Sequence, residues 1–416
     1  LGFGQAEYQQ LLDSIETQRQ TRSVSYLPAR HFEAPHKWAS PGQAAGHIVG
    51  NRLVTTPPPR APRIQQEAIR AIRDYIRKTE IGRSLLAVAD RGKIAAGFEV
   101  SERDGTQASY YYTRRDILFN GNSALLRTPD VETFISRAAY YGIHELGHVA
   151  QDQKCGRNFC NLDLTVPLSQ RIMAVRHFEA AADAIAIQAA WEAKQAGDPA
   201  LWEIANSPMG DPPLAQAFER SVRRRPDNAH NGKARRAAHD AWFKAGDGVH
   251  RYDQATIDRH RFELDCLAVQ QAEDYPDPTA RLLASDAGKR KLRLNDFRDF
   301  GVMPDGGDHL RLQGHADVLD PRYTAPSSEA ITRQVKYIEA LVERVSDGMA
   351  IYPSDFDDLD KLKAGAVLPD QPVDADEDMS EPQAAKDNMR QWRAGRQDTA
   401  MQDTARREAD GPSMAP

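Results

Sequence analysis

The sequence predicts an α+β fold that is mainly α, and three features carry that expectation. Most of residues 63 to 350 falls into segments whose apolar side chains recur every three or four positions, the spacing of one helix face. Short runs of β-branched and aromatic residues cluster between about 95 and 119, enough for a small sheet. Stretches rich in proline, glycine or charge flank this body without regular apolar spacing.

Composition narrows the class. Of 416 residues, 40% are hydrophobic and 27% charged, the balance of a soluble globular chain with room for two or three domains. A net charge of -6, with 54 Lys and Arg spread evenly, argues against a nucleic-acid partner. The apolar run "SLLAVA" at 84–89 is among the longest and is far short of a membrane span. Three cysteines do not make a disulfide framework, so a reducing compartment, the cytoplasm, is expected. Cys155 and Cys160 in "CGRNFC" are close enough to pair or to share a metal, but two ordinary thiols in a loop account for them better. The chain opens on Leu1 instead of Met and is expected to be a fragment or a processed product.

Four regions are expected. Residues 1–60 form an N-terminal extension or linker, with one short helix in "EYQQLLDSIETQRQ" before the Pro- and Gly-rich "SPGQAAGHIVGN" and "TTPPPRAPR". Residues 61–200 form the core. It starts with a helix that places Ile64, Ile69, Ile72 and Ile76 on one face. "AGFEV", Tyr110–Tyr112 and Ile117–Phe119 follow as a small antiparallel meander. "TPDVETFISRAAYYGIHELGHVAQDQK" is a helix capped by Thr128 or Asp130, with Ile135, Ala138, Ala139, Ile143 and Leu146 apolar. A second, alanine-rich helix runs from "LSQRIM" to a stop at Gly197. Residues 201–350 hold four further helices that complete or flank the core, with Trp242 and Phe243 in its interior and "RRR" at 223–225 a charged helix end. Residues 351–416 are expected to be largely disordered.

The chemistry concentrates in "HELGH". Four residues on a helix turn about 400°, so His144 and His148 project from one face about 6 Å apart, the separation two imidazoles need to meet one tetrahedral zinc. Glu145 is rotated about 100° from His144, beside the metal, where a carboxylate serves as base toward zinc-bound water. Gly147 between the ligands lets another backbone or a substrate come close. A third ligand is still needed, and a histidine six residues after His148 is missing, since that place is Lys154. The next helix offers Glu179 and, four residues on, Asp183 on the same face, separated by three alanines. His177 is the competing ligand, and two acids that merely solvate an alanine-rich helix remain the plain alternative. His309 and His315, six apart in a loop, fit solvated histidines better than a metal site.

"HELGH" followed by "EAAAD" resembles the glutamate-zincin (thermolysin-like) metallopeptidases. Over roughly residues 65–200, "GRSLLAVADRGKIAAGFEV", "SYYYTRRDILFN", "HELGHVAQ" and "FEAAADAIAIQAAWEAKQAG" in that order resemble a bacterial domain-of-unknown-function family described as metallopeptidases. Many of its members read H-E-x-x-H-x-x-Q, and Gln151 fits the last place. The resemblance implies a zincin-like fold, with a small antiparallel sheet packed on the HExxH helix and a second helix bearing the third ligand. It implies that His144, His148 and Glu179 bind zinc, that Glu145 is the base, and that Asp183 accepts a hydrogen bond from a ligand histidine. It also implies a peptide or protein substrate, with the strand at Ile117–Phe119 along the cleft and its edge open to substrate backbone. Tyr252 and His260 are candidates for a second electrophile. Two other functions fit the same residues: a helical scaffold or partner-binding module with a structural metal or none, and a narrow regulatory or toxin-like protease.

Overall fold

In the computed structural model, described over residues 3–21, 47–49, 52–54, 62–100, 106–112, 114–155, 164–245, 247–272, 283, 291–304 and 306–364, the chain divides into two units. The first is Leu1–Asp258 with Arg290–Ser328, and the second is Arg259–Lys289 with Glu329–Pro416. Helices dominate, and three strands make a small sheet. Among the described residues no helix is long and apolar enough to cross a membrane.

In the first unit, α1 (Gln5–Thr21) buries Tyr8, Leu11 and Ile15 in the main core. The Tyr8 and Phe134 rings stack 4.9 Å apart, and the Tyr8 hydroxyl lies 2.8 Å from Thr128 Oγ1. Strands β1 (His47–Val49) and β2 (Arg52–Val54) pair antiparallel. In α2 (Arg63–Ile76), Ile72 and Ile76 are buried, with Ile64 and Ile69 packed at the margin. Thr79 caps α3 (Glu80–Arg91) by accepting the Gly82 amide, and "SLLAVA" lies inside this helix.

The sheet differs from the expected antiparallel meander. Its strands β3 (Ala95–Glu99), β4 (Ala108–Tyr111) and β5 (Asp116–Asn120) stand in the order β3-β5-β4. β4 and β5 are antiparallel, but β3 runs parallel to β5, with Ala95 opposite Asp116 and Glu99 opposite Asn120. The chain passes β4 first and turns back, with Arg115 at a φ of 59°, so that β5 inserts between its neighbours. The strand expected at the open edge is therefore the central one, and β4 is an edge. Phe98, Ile117 and Phe119 point from this sheet into the core.

Helix α4 (Val131–Cys155) carries "HELGH". Of its two expected caps, Asp130 takes the role, accepting the Thr133 amide at 2.7 Å. Ala138, Ala139, Ile143 and Leu146 are buried as the spacing requires. Helix α5 (Leu168–Gln195) ends at Gly197, whose φ of +90° suits a residue without Cβ. Helices α6 (Ala200–Ala205), α7 (Pro212–Arg224), α8 (Lys233–Trp242) and α9 (Asp247–Ala272) follow. After α10 (Leu294–Arg298) the chain is mostly irregular to α11 (Pro321–Thr324). In the second unit, α12 (Glu329–Ser346) buries Ile331, Ile338, Leu341 and Val345. It is tied to the turn before α13 (Asp357–Lys363) by Tyr337 Oη on the Asp355 carbonyl at 2.8 Å and by Arg344 on the Asp355 carboxylate at 2.9 Å. Cys160 and the tail from 365 onward lie outside the described residues.

Irregular backbone that is buried must find donors for its carbonyls. Two buried arginines supply them in the first unit. Arg236 of α8 donates to the Ala316 carbonyl at 2.6 Å and to Tyr323 Oη at 2.8 Å, and it pairs with Asp240 at 2.7 Å. Arg176 of α5 donates to the Tyr323 and Ala325 carbonyls at 2.9 and 2.8 Å and forms a two-bond pair with Asp253 of α9. His309 is fully buried in this segment, and among the described residues neither ring nitrogen has a hydrogen-bond partner. Burial, then the charge of Arg235 and the nearby His239 and Arg236, hold its pKa well below the usual value.

A folded state that keeps His309 neutral loses ground to an unfolded chain that binds a proton below about pH 6.5. Stability from this residue is complete above that pH and falls as acid is added. In zinc-free protein unfolded by urea, His309→Phe is expected to lose about 1 kcal/mol less than wild type between pH 6.5 and 5.5. Equal losses would show that His309 titrates as an ordinary histidine.

Candidate metal centre

The candidate site lies where α4 meets α5, inside the first unit. Gly147 makes the meeting close: a Cβ added there would stand 3.4 Å from both Cα and Cβ of Ala182. The small residue between the histidines thus admits another backbone, and the alanines of α5 receive it. Ala180, Ala181, Ala182 and Ala184 are all fully buried.

Across this contact three side chains converge. His144 Nε2 and His148 Nε2 are 3.0 Å apart, and Glu179 Oε2 is 3.4 Å from the first and 3.6 Å from the second. Among the described residues this is the group of His, Cys, Asp or Glu side chains able to hold a metal ion. His148 is buried, and His144 and Glu179 are each 15% exposed at the side chain, so the point of convergence is open on one side.

The far side of each imidazole is fixed. His144 Nδ1 lies 2.8 Å from Asp183 Oδ1, and Asp183 Oδ2 accepts the Trp242 indole N–H at 3.1 Å. His148 Nδ1 lies 2.9 Å from Gln151 Oε1. The Gln151 amide nitrogen donates to the Phe178 and Phe300 carbonyls at 3.0 and 3.3 Å, so its oxygen is the acceptor. Both histidines therefore carry their proton on Nδ1. With both rings neutral, their Nε2 lone pairs face each other and a carboxylate oxygen, so three acceptor atoms surround one point. Phe178 stacks on the His148 ring at 4.0 Å and limits its rotation.

Such a point attracts positive charge. Burial lowers the His144 pKa, but the charge and hydrogen bond of Asp183, with the bond to Glu179, outweigh it and raise it well above the ordinary value. For Glu179, burial pushes upward, and the neighbouring histidines still pull its carboxyl far below the usual range. Glu145 is 8% exposed and lies on the β4 side, where its Oε2 accepts the Tyr110 amide at 2.6 Å. Burial raises its pKa against the pull of His144 and His148.

The expected residues sort clearly. His144, His148, Glu179 and Asp183 come together, with Glu145 beside them. His177, the rival ligand, faces away: its Nδ1 is 3.1 Å from His239 Nε2 and its Nε2 is 2.9 Å from the Val318 carbonyl. His309 is buried and His315 exposed, so they do not share a site. Tyr252 lies near the cluster: its hydroxyl feels the charges of Glu179 and Asp183, and its ring lies 5.7 Å from Trp242. Burial, then the charges of Glu179 and Asp183, keep this phenol protonated far above its usual range. His260 belongs to the second unit. Trp242, expected only as core, is buried and also serves Asp183. The signal was its indole N–H, which seeks an acceptor when buried.

No curated protein and no solved structure matches the chain. A family model does, over residues 50–271, with the description "Putative metallopeptidase family (DUF6782)". That span takes in the sheet, α4, α5 and α9 through Gln271, hence every residue of the candidate site, and more than half of the sequence. The chain belongs to this metallopeptidase family of unknown function.

Proposed function

We propose that the protein is a zinc-dependent peptidase of the glutamate-zincin type, with His144, His148 and Glu179 as metal ligands. One observation carries this reading: two imidazole lone pairs and one carboxylate oxygen converge with their protons held elsewhere. The donor set fits zinc. Bonds of 2.0–2.1 Å at tetrahedral angles place ligand atoms about 3.4 Å apart, and the three separations here run from 3.0 to 3.6 Å. Three protein ligands and an open side are the pattern of a catalytic site, since structural zinc sites are closed by four.

Zinc held there supplies Lewis acidity, polarising a carbonyl and making water acidic near neutral pH. Glu145 takes the proton of the attacking water and later passes it to the leaving amine. Its burial raises its pKa toward the range in which a carboxylate does both. Asp183 and Gln151 hold the two imidazoles in the tautomer that presents Nε2. Tyr252, kept protonated beside Glu179, is placed to donate to the oxyanion that develops on the carbonyl. The substrate is a peptide or protein, and the sheet and α4 pack as in zincins.

Wild type, reconstituted and dialysed, is expected to hold about one zinc per chain by elemental analysis. His148→Ala and Glu179→Ala, with circular dichroism unchanged, should lose it. If wild type takes up no zinc the proposal falls, and if Glu179→Ala alone keeps it a different third ligand is at work. Glu145→Gln should retain zinc and lose at least 100-fold in kcat on a peptide that wild type cleaves, the scale of general-base catalysis. Near-wild-type turnover in that variant would remove Glu145 from its role. Ala182→Leu drives a side chain between α4 and α5. It should cost about 1–3 kcal/mol of stability and weaken zinc binding at least tenfold in competition with a chelator. Unaltered affinity would mean that the helix contact does not set the ligand geometry.

A further inference from the structure

We infer that Tyr110 is the positioning residue for the base Glu145, and that Asp152 acts through it. This rests on the peptidase reading above. Strand alternation sends Tyr110 and Tyr111 to opposite faces of β4. Tyr111 turns to the sheet, with its hydroxyl 2.6 Å from Glu99 Oε1 and the Arg114 guanidinium 4.1 Å over its ring. Tyr110 turns to α4 and touches that helix twice. Its backbone amide donates to Glu145 Oε2 at 2.6 Å, and its phenol donates to Asp152 Oδ2 at 2.8 Å.

The helix explains the double contact. Glu145 and Asp152 are seven residues apart, so they share a face of α4, about 10.5 Å apart along its axis. One tyrosine, from its amide to its hydroxyl, bridges the two. Because β5 pairs with β4 along the other edge, the Tyr110 amide lies on the side where a substrate strand would add, and it is committed to the base. Glu145 Oε2 is pinned and Oε1 is left for proton transfer. A glutamate has three side-chain torsions, and a base that strays by an ångström from its attack geometry loses rate steeply. The phenol–Asp152 bond holds β4 at the height on α4 where the amide meets Glu145.

The first test reads hydrogen exchange at the residue-110 amide in the full, zinc-reconstituted chain. Exchange should be at least tenfold faster in Glu145→Ala, Tyr110→Phe and Asp152→Ala than in wild type, while Asp152→Asn, which keeps an oxygen acceptor, stays near wild type. The second uses a quenched-fluorescent peptide that wild type cleaves. Tyr110→Phe should lower kcat at least tenfold with KM within twofold and zinc content unchanged. Adding Asp152→Ala to it should cost nothing more, the non-additivity of two residues acting as one unit. Unchanged exchange and kcat in folded Tyr110→Phe overturns the inference. A raised KM at constant kcat also overturns it, by making the phenol a substrate contact. If wild type binds no zinc and cleaves no peptide, the peptidase reading has failed, and exchange at residue 110 still decides whether Tyr110 anchors Glu145.

Discussion

The close approach of α4 and α5 at Gly147 and Ala182 is the constraint on which the site depends. Helices packed through ordinary apolar side chains lie 8–10 Å apart. A glycine against an alanine belongs at the near end of that range. Only there can imidazoles rooted on one helix and a short carboxylate side chain rooted on the other bring ligand atoms within 4 Å. The alanines of α5 give up the burial that larger side chains would supply. Its length, 28 residues, and its position among α4, α6 and α8 recover apolar contact by proximity instead of bulk.

The polar groups behind the histidines extend that constraint outward. His144 leans on a carboxylate and His148 on a neutral amide, so the two imidazoles are not electronically alike. Asp183 is itself held by an indole from α8, and Gln151 by carbonyls from α5 and from the irregular segment at Phe300. That segment stays in place through carbonyl contacts with Arg176 and Arg236. A rigid donor set at the centre thus rests on buried guanidiniums, one of them a single turn from Glu179 on α5.

Much of this was visible in the residues. The spacing of Ile72, Ile76, Ala138, Ile143 and Leu146 marked the helices and their buried faces, since side-chain period follows backbone geometry. The four-residue step from His144 to His148, and that from Glu179 to Asp183, marked pairs that share a face. Sheet order was not visible. Three runs of four or five residues fit either order, and only the chain passing β4 before returning to β5 makes the β3–β5 pair parallel. The tie between Glu145 and Tyr110 was hidden for a different reason: a backbone amide is the same at every residue but proline. The core role of Tyr8, Leu11 and Ile15 was masked by the Pro- and Gly-rich sequence that separates α1 from α2.

The three candidate ligands come from one helical hairpin, with Glu179 35 positions after His144, whereas the group that steadies the base comes from a strand. Helical pairs with short connections assemble quickly, because little loop entropy is spent before their contacts form. A nascent or partly melted chain can therefore complete the metal-binding hairpin while its sheet is still unformed. Metal occupancy then reports on the hairpin and the groups behind its histidines but not on the sheet, and a population can be loaded and yet largely inert.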